Sequence, residues 1–262
     1  HYFCIIITQL NITFLGTGTS QGIPIIGSNH PVCLSENPKD KRLRSSVLVQ
    51  SDGSDILIDC GPDFRQQALR ADCNKIDAVL FTHEHSDHTA GLDDLRPFYF
   101  RQGNIPVYAE KRVMEALKIR FNYIFKKENK YPGVLTFDVN YISNEVFYIS
   151  KTKIIPVKVY HHTLPVFGFR IKNFAYITDA KTIPEIEIKK LKSLDVLVIN
   201  ALRQEPHISH FNMQEALDFI KLVKPKKCFL THISHHLGFH EEVERLLPKN
   251  VFLAYDNLKI SI

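Results

Sequence analysis

The sequence has 262 residues, of which 44% are hydrophobic and 23% are charged, and its formal net charge is +5 at pH 7. This composition is that of an ordinary globular protein, and the mild positive charge is compatible with an anionic substrate. No stretch approaches the ~18 consecutive apolar residues that a membrane-spanning helix needs, so we expect no contact with a membrane.

The cysteines are sparse, odd in number and without paired spacing: Cys4, Cys33, Cys60, Cys73 and Cys228. This pattern favours a reducing compartment over a disulfide scaffold. The first seven residues are apolar but lack a basic region and a cleavage site, so we interpret them as an edge strand or an added segment rather than a signal peptide. We therefore expect a cytoplasmic protein.

Hydrophobic periodicity and turn residues predict one α/β domain over residues 1–262. The predicted strands, in chain order, are 11–16, 45–50, 55–58, 78–81, 107–109, 153–160, 167–171, 174–177, 196–199 and 228–230. The predicted helices are 64–71, 110–125, 184–194, 213–223 and 241–247, with another opening near 89–96. Residues 126–149 are rich in lysine and aromatic residues and carry no clear pattern.

Four side chains that can coordinate a metal ion follow the strand at 78–81: His83, His85, Asp87 and His88. Imidazole and carboxylate groups are the usual nitrogen and oxygen ligands of zinc, manganese and iron. On an extended backbone His83 and His85 point the same way, whereas the other two turn toward a second point. One loop can therefore serve two divalent metal ions.

Other strands also end in metal-ligand side chains. The strand at 153–160 ends in His161-His162, the strand at 174–177 leads to Asp179, and the strand at 228–230 leads to His232. Ligand sites in open α/β sheets form beyond the carboxyl ends of the strands. We therefore expect these side chains to meet the histidine loop.

The HxHxDH motif, with the later His, Asp and His and the turn Asp59-Cys60-Gly61, resembles the metallo-β-lactamase superfamily. The resemblance implies an αββα sandwich, with two mixed β-sheets flanked by helices and a binuclear metal site at one edge. The ligands it implies are His83, His85 and His162 on one metal, Asp87, His88 and His232 on the other, and Asp179 as the bridge. His161 competes with His162, which we prefer for its spacing to Gly168.

Within the superfamily the chain resembles the cyclic phosphodiesterases of the carbon–phosphorus lyase pathway, which open phosphoribosyl cyclic phosphate. The matching stretches are 16–24, 82–92, 167–169 and 230–235. That subfamily holds an extra structural zinc with a CxCxxC knuckle and a histidine. Here the knuckle reads Ser28-x-His30-x-x-Cys33 and the histidine is His235, so the sequence leaves open whether this site still binds zinc.

The implied reaction is the hydrolysis of a small anionic phosphodiester, either cyclic or linear, by a hydroxide that bridges two divalent metal ions. Asp87 and Asp179 leave an excess of positive charge that suits a phosphate. The candidate catalytic residues are His210 and Asp87. His210 is the candidate proton donor to the leaving group, with capping of the helix at 213 as its alternative role. Arg96 and Arg203 are candidate phosphate contacts.

Three other functions remain open. A tRNA 3′-processing endonuclease shares HxHxDH, but the insert at 126–144 is short and contains one glycine, so we do not expect a nucleic-acid partner. A carboxylic-ester or thioester hydrolase of the same fold is the second alternative, and a non-catalytic metal-binding protein is the third. His85 argues against a flavodiiron-type redox site, and Asp179 against a true β-lactamase. The sequence leaves a homodimer open.

Overall fold

The computed structural model describes residues 9–126, 128, 130 and 132–262. The apolar segment at 1–7, interpreted above as an edge strand or an added segment, lies outside the described residues, as does Cys4. The strands of the described residues form two sheets of seven strands each.

The first sheet is antiparallel on one side and parallel on the other. Its strands are β1 (Asn11–Gly16), β2 (Ser46–Ser51), β3 (Ser54–Ile58), β4 (Ala78–Leu80), β5 (Ile105–Glu110), β6 (Phe137–Ile142) and β14 (Lys259–Ser261), arranged in the order β14-β1-β2-β3-β4-β5-β6. Strands β3 to β6 run parallel to one another, so their carboxyl ends meet at the same edge.

The second sheet has the same mixed character. Its strands are β7 (Phe147–Ile149), β8 (Thr152–His161), β9 (Leu164–Ile171), β10 (Phe174–Tyr176), β11 (Val196–Asn200), β12 (Lys227–Thr231) and β13 (Val251–Leu253), arranged in the order β13-β12-β11-β10-β9-β8-β7. Strands β10 to β13 are parallel, whereas β8 and β9 form an antiparallel hairpin.

Alternate residues of each strand pack on opposite faces of the sheets, as the pleat requires. Val47 and Val49 of β2 lie between the two sheets, together with Val196 and Val198 of β11. Leu48 instead faces the helices outside the first sheet. The two inner faces thus form one apolar layer, the arrangement of a β-sandwich.

Helices cover both outer faces. The longer ones are α2 (Phe64–Ala71), α4 (Arg96–Gln102), α5 (Lys111–Arg120), α8 (Met213–Val223) and α9 (His240–Leu246), and the shorter ones are α1 (Pro31–Leu34), α3 (Ser86–Thr89), α6 (Asn122–Phe125) and α7 (Glu185–Ile188). Helices α2, α4 and α5 pack on the first sheet, and α8 and α9 pack on the second. The predicted αββα sandwich is confirmed.

Most predicted elements are present, but the prediction contains neither β13 nor β14, and two further regions differ. The prediction reproduces the bounds of β1, α2 and α8. The unassigned region at 126–149 contains β6 and β7, and the helix predicted over 184–194 is limited to α7 and a 3-10 turn at Lys189–Leu191. Between residues 9 and 262, apart from the three positions not described, no helix has both the length and the apolar character to cross a membrane.

Candidate metal centre

The side chains that can coordinate a metal ion lie at one edge of the sandwich. His83 follows β4, His161 is the last residue of β8, Asp179 follows β10, and His232 directly follows β12. Backbone hydrogen bonds join the two sheets at this edge, because Phe167 N donates to the Thr82 carbonyl at 3.1 Å. The strand ends of both sheets therefore contribute to one site.

Three buried residues at this edge have left-handed backbone conformations that are uncommon outside glycine. The φ angles are 63° for Asp59, 56° for Asp179 and 55° for His232. Each residue lies at or just past the end of a strand, where this conformation turns the chain and directs the side chain across the sheet edge. Such conformations cost free energy and cluster at functional sites.

Asp59 organises the start of the histidine loop. It is fully buried, and its Oδ1 accepts a hydrogen bond from Thr82 N at 2.9 Å. Its Oδ2 accepts from Thr82 Oγ1 at 2.9 Å and lies 2.6 Å from His88 Nδ1. Because a carboxylate can only accept, His88 carries its proton on Nδ1 and directs Nε2 at the cluster.

The same reasoning assigns which ring nitrogen of His83 carries the proton. Thr82 Oγ1 donates to Asp59, so it accepts from His83 Nδ1, which lies 3.0 Å away. His83 Nε2 is then left with a lone pair, and it lies 3.0 Å from Nδ1 of His85. Two ring nitrogens therefore face the same point, as two ligands of one cation would.

His232 and Asp179 form the corresponding pair in the second sheet. Thr178 Oγ1 donates to Asp179 Oδ2 at 2.6 Å and lies 3.4 Å from His232 Nδ1. His232 Nε2 lies 3.3 Å from Asp179 Oδ1 and 3.1 Å from Thr19 Oγ1. This side chain also turns Nε2 toward the centre.

The structure places His161, rather than His162, beside the cluster. His161 Nδ1 donates to the Ser209 carbonyl at 2.8 Å, which leaves Nε2 with a lone pair, and its ring centroid lies 5.3 Å from that of His85. His162 has φ 57° in the turn after β8 and is exposed. The preference for His162 is therefore corrected to His161, because β8 extends through residue 161 and the turn carries the next side chain away.

Ligand atoms converge in overlapping sets. Within each set, one atom per residue lies within 4.8 Å of the others: His83, His88 and Asp179; Asp87, His88 and His232; His161, Asp179 and His210. Asp179 belongs to two of these sets and contacts His88 Nε2 at 3.2 Å. It therefore lies where two of the sets meet, and its role as a bridging ligand stays a prediction.

The charge of the centre favours a cation. Burial would lower the pKa of His88, but its carboxylate neighbours outweigh burial and raise that pKa well above its ordinary value. Burial would raise the pKa of Asp179, yet His232 and His88 hold that pKa well below its ordinary range. The buried His88 Nε2 makes no hydrogen bond, although Asp87 Oδ2 lies 3.1 Å away. The donor set thus fits a divalent metal ion.

His210 belongs to the set that contains His161 and Asp179, and it is 8% exposed. Its ring stacks on His232 at a centroid distance of 5.0 Å, and its Nδ1 lies 3.6 Å from Asp179 Oδ1. Burial lowers the pKa of His210 to about 3, although Asp179 acts in the opposite direction. Without substrate the ring is therefore neutral at pH 7.

The structure brings together part of the predicted zinc knuckle. The rings of His30 and His235 have centroids 4.7 Å apart, and Cys33 is buried nearby. His30 Nδ1 accepts from Val32 N at 3.3 Å, and Ser28 Oγ accepts from His30 N. In the part of the chain that the structure describes, these residues do not place three ligand atoms within 4.8 Å of one another. Zinc at this position stays a prediction.

The two candidate phosphate contacts have intramolecular partners. Arg96 Nη2 lies 2.8 Å from each carboxylate oxygen of Asp93. Arg203 donates to carbonyl oxygens of its own loop, those of Glu205 and Pro206. A contact of either arginine with substrate stays a prediction.

Sequence reasoning missed the groups that orient the ligands: Thr19, Thr178 and the Ser209 carbonyl. Hydroxyl residues occur throughout the chain, so nothing in the sequence singles these out. Thr178 carries one usable signal, because it directly precedes the predicted ligand Asp179, as Thr82 precedes His83.

Comparisons with known proteins agree with this geometry. The family model of the beta-lactamase superfamily domain matches residues 54–233. A crystal structure of a new diphosphatase from the PhnP family is 40% identical, superposes with a TM-score of 0.91, and is matched over 97% of both chains. The chain belongs to the β-lactamase superfamily, and within it to the PhnP family. This confirms the resemblance inferred from the motifs.

Other relatives of this superfamily member differ in name and length. The octanoyltransferase of Porphyromonas gingivalis is 41% identical over 251 residues, which are 95% of this chain and 51% of that protein. The chain thus spans about half the length of this curated relative. Ribonuclease Z of Bacillus licheniformis is 26% identical over 260 residues, or 94% of this chain and 75% of that protein.

Proposed function

We propose that this chain is a metal-dependent phosphodiesterase that cleaves a small anionic phosphodiester or diphosphate. The observation that carries the proposal is the pair of ligand sets that share Asp179, one of which includes His210. The 40% identity to a PhnP-family diphosphatase over nearly the whole chain supports phosphoryl chemistry.

Seven side chains would hold two divalent ions of zinc, manganese or iron. His83, His85 and His161 would hold one, and Asp87, His88 and His232 the other, with Asp179 shared between them. When bound, such ions activate water at neutral pH and offset the negative charge of a phosphate. Asp87, one of the two candidate catalytic residues of the sequence, would act here as a ligand, with its Oδ2 lying 3.1 Å from Nε2 of His88.

The residues of the chain supply orientation and a proton. His210 borders the cluster, and a phosphate against its ring would raise the pKa of the imidazole, because a nearby negative charge favours the protonated form. A protonated His210 can then deliver its proton to the departing ester oxygen.

A second substrate class is an acyl thioester or carboxylic ester. It is favoured by the 41% identity to a protein named octanoyltransferase, although about half of that protein lies outside the match. The likeness to ribonuclease Z adds a precursor tRNA as a third substrate to compare.

The test is a substrate panel with purified protein and added Zn²⁺ or Mn²⁺. It contains bis-p-nitrophenyl phosphate, a ribose cyclic phosphodiester, a nucleoside diphosphate derivative, an octanoyl thioester and a 3′-extended tRNA. We expect metal-dependent cleavage of small phosphodiesters or diphosphates. Cleavage of the thioester or the tRNA alone would contradict the proposal.

His210→Ala tests the proton donor. We expect kcat to fall about 10²- to 10³-fold on a diester with a poor leaving group and less on a p-nitrophenyl ester, because a good leaving group needs no proton. Metal content should stay that of the parent, and His236→Ala, an exposed histidine, is the control. Parent-like turnover of the poor leaving group would exclude this role.

A further inference from the structure

The side chains that orient the ligands are unevenly distributed. The His88 and His232 rings are almost fully buried, and each Nδ1 faces a buried carboxylate or hydroxyl. His85 is exposed, and its ring Nδ1 contacts another ligand, His83 Nε2. Its position therefore depends on how the backbone of the histidine loop is held.

Arg112 ties this loop to the second sheet. Its guanidinium donates through Nη1 to Oε1 of Glu84, the residue between His83 and His85. Through Nη2 it donates to the carbonyl of Pro165 at 2.7 Å. Pro165 pairs with Tyr160 in the β8–β9 hairpin, one position before the pair His161–Leu164. One side chain thus connects the His83-x-His85 segment to the hairpin that carries His161.

The other end of α5 contacts the same loop. Arg120, its last residue, donates through Nη1 to Thr89 Oγ1. Thr89 Oγ1 in turn donates to the carbonyl of His85 at 2.8 Å. Helix α5 therefore supports the histidine loop at both of its ends.

We propose that Arg112 is a positioning residue that sets the separation between the His83-x-His85 pair and His161, and thereby controls the affinity of one of the two metal positions. This inference rests on the metal centre of the proposed function but not on the identity of the substrate. The other position, formed by Asp87, His88 and His232, is supported by buried groups outside the reach of these two contacts.

The chemistry of the contacts requires arginine. The planar guanidinium serves a carboxylate and a carbonyl at the same time, whereas a lysine ammonium is a point charge that can favour only one of them. Glu110 Oε2 also lies 3.5 Å from Arg112 Nη2. Removal of the guanidinium would leave Glu84 and Glu110 without this shared cation, and their repulsion would displace the loop.

The experiment measures metal binding and needs no substrate. Parent, Arg112→Met, Arg112→Lys and the control Lys118→Met are loaded with Zn²⁺, dialysed against a chelator buffer and analysed for zinc per chain. Lys118 lies in the same helix and pairs with Glu115 at 2.9 Å. Circular dichroism checks the fold of each variant.

We expect the parent and Lys118→Met to retain about two zinc ions and Arg112→Met to retain about one. A competition titration should show a 10- to 100-fold weaker affinity at one position only, the usual effect of removing a group that orients a ligand. Arg112→Lys should recover that affinity in part.

Retention of both ions at parental affinity by Arg112→Met, or equal weakening of both positions, would overturn the inference. Should Arg112→Met fail to fold, Glu84→Gln keeps the shape of the side chain and removes the charge, and the same selective loss is expected. A parent that binds two ions but cleaves no phosphodiester would contradict the proposed function and leave this inference standing.

Discussion

The two sides of the metal centre are held in different ways. His88 and His232 are 0% and 1% exposed, and buried side chains fix the proton on Nδ1. His85 is exposed and His161 half-buried, and they depend on a loop, a hairpin and a backbone carbonyl. From this difference we expect the buried side to bind its proposed cation more tightly than the open side does.

The largest expected effect comes from the buried side. His88→Ala removes a proposed ligand and deprives the buried Asp59 of its nearest partner, the His88 Nδ1 at 2.6 Å. We expect kcat/KM on bis-p-nitrophenyl phosphate to fall at least about 10³-fold, since transition-state stabilisation by the metals is lost. Steady-state kinetics with metal analysis checks this.

Circular dichroism provides the control, because the αββα core does not include His88 and should persist. A His88→Ala protein that keeps both its metal content and the parental activity would contradict the expectation that the buried side binds its metal ion more tightly.

A smaller effect is expected on the open side, where two adjacent histidines can be compared. His161→Ala should lower the affinity for one metal ion and reduce kcat/KM about 10- to 100-fold, whereas His162→Ala should behave like the parent, because its side chain lies in the exposed turn. Metal titration and kinetics of both variants test this. The reverse order would restore His162 as the ligand.

The smallest expected effect concerns His240, another buried histidine. Carboxylates surround His88, whereas His240 lies beside an arginine. Its Nδ1 lies 3.0 Å from Arg42 Nη2 and its Nε2 lies 3.2 Å from Glu244. Burial, followed by Arg42, lowers the pKa of His240 to about 4, although Glu244 acts in the opposite direction. His240 is therefore neutral in the folded protein at pH 6.

Because the folded pKa is below the unfolded one, the contribution of His240 to stability is present above pH 6.5 and is lost as pH falls toward 4. His240→Gln should reduce the pH dependence of the unfolding free energy in this window by about 1 kcal/mol per pH unit. Urea unfolding of the metal-free proteins at several pH values measures it. Equal slopes for parent and variant would contradict the assignment.

The sequence predicts the fold well where apolar periodicity is strong. It reproduces β1, α2 and α8 with the bounds that the structure has. It fails over 184–194, where apolar residues at helical spacing form only α7 and a 3-10 turn. It assigns nothing to β6 and β7, whose exposed aromatic residues, such as Tyr141 and Tyr148, obscure the alternation.

The residues of the site likewise fall into those that the sequence predicts and those that only the fold identifies. Residues in a tight motif, such as His83 and His88, are predictable, because several ligand side chains on one short loop identify one another. The choice between His161 and His162 depends on the residue at which β8 ends, which the sequence does not define. Arg112 is 28 residues from Glu84, and only the fold brings them together.

The most direct measurement is metal content of the purified protein together with hydrolysis of bis-p-nitrophenyl phosphate, with and without added Zn²⁺ or Mn²⁺. We predict about two divalent ions per chain and metal-dependent cleavage of the diester. A protein that binds no metal after reconstitution, or that binds two ions and cleaves no phosphodiester, would contradict it.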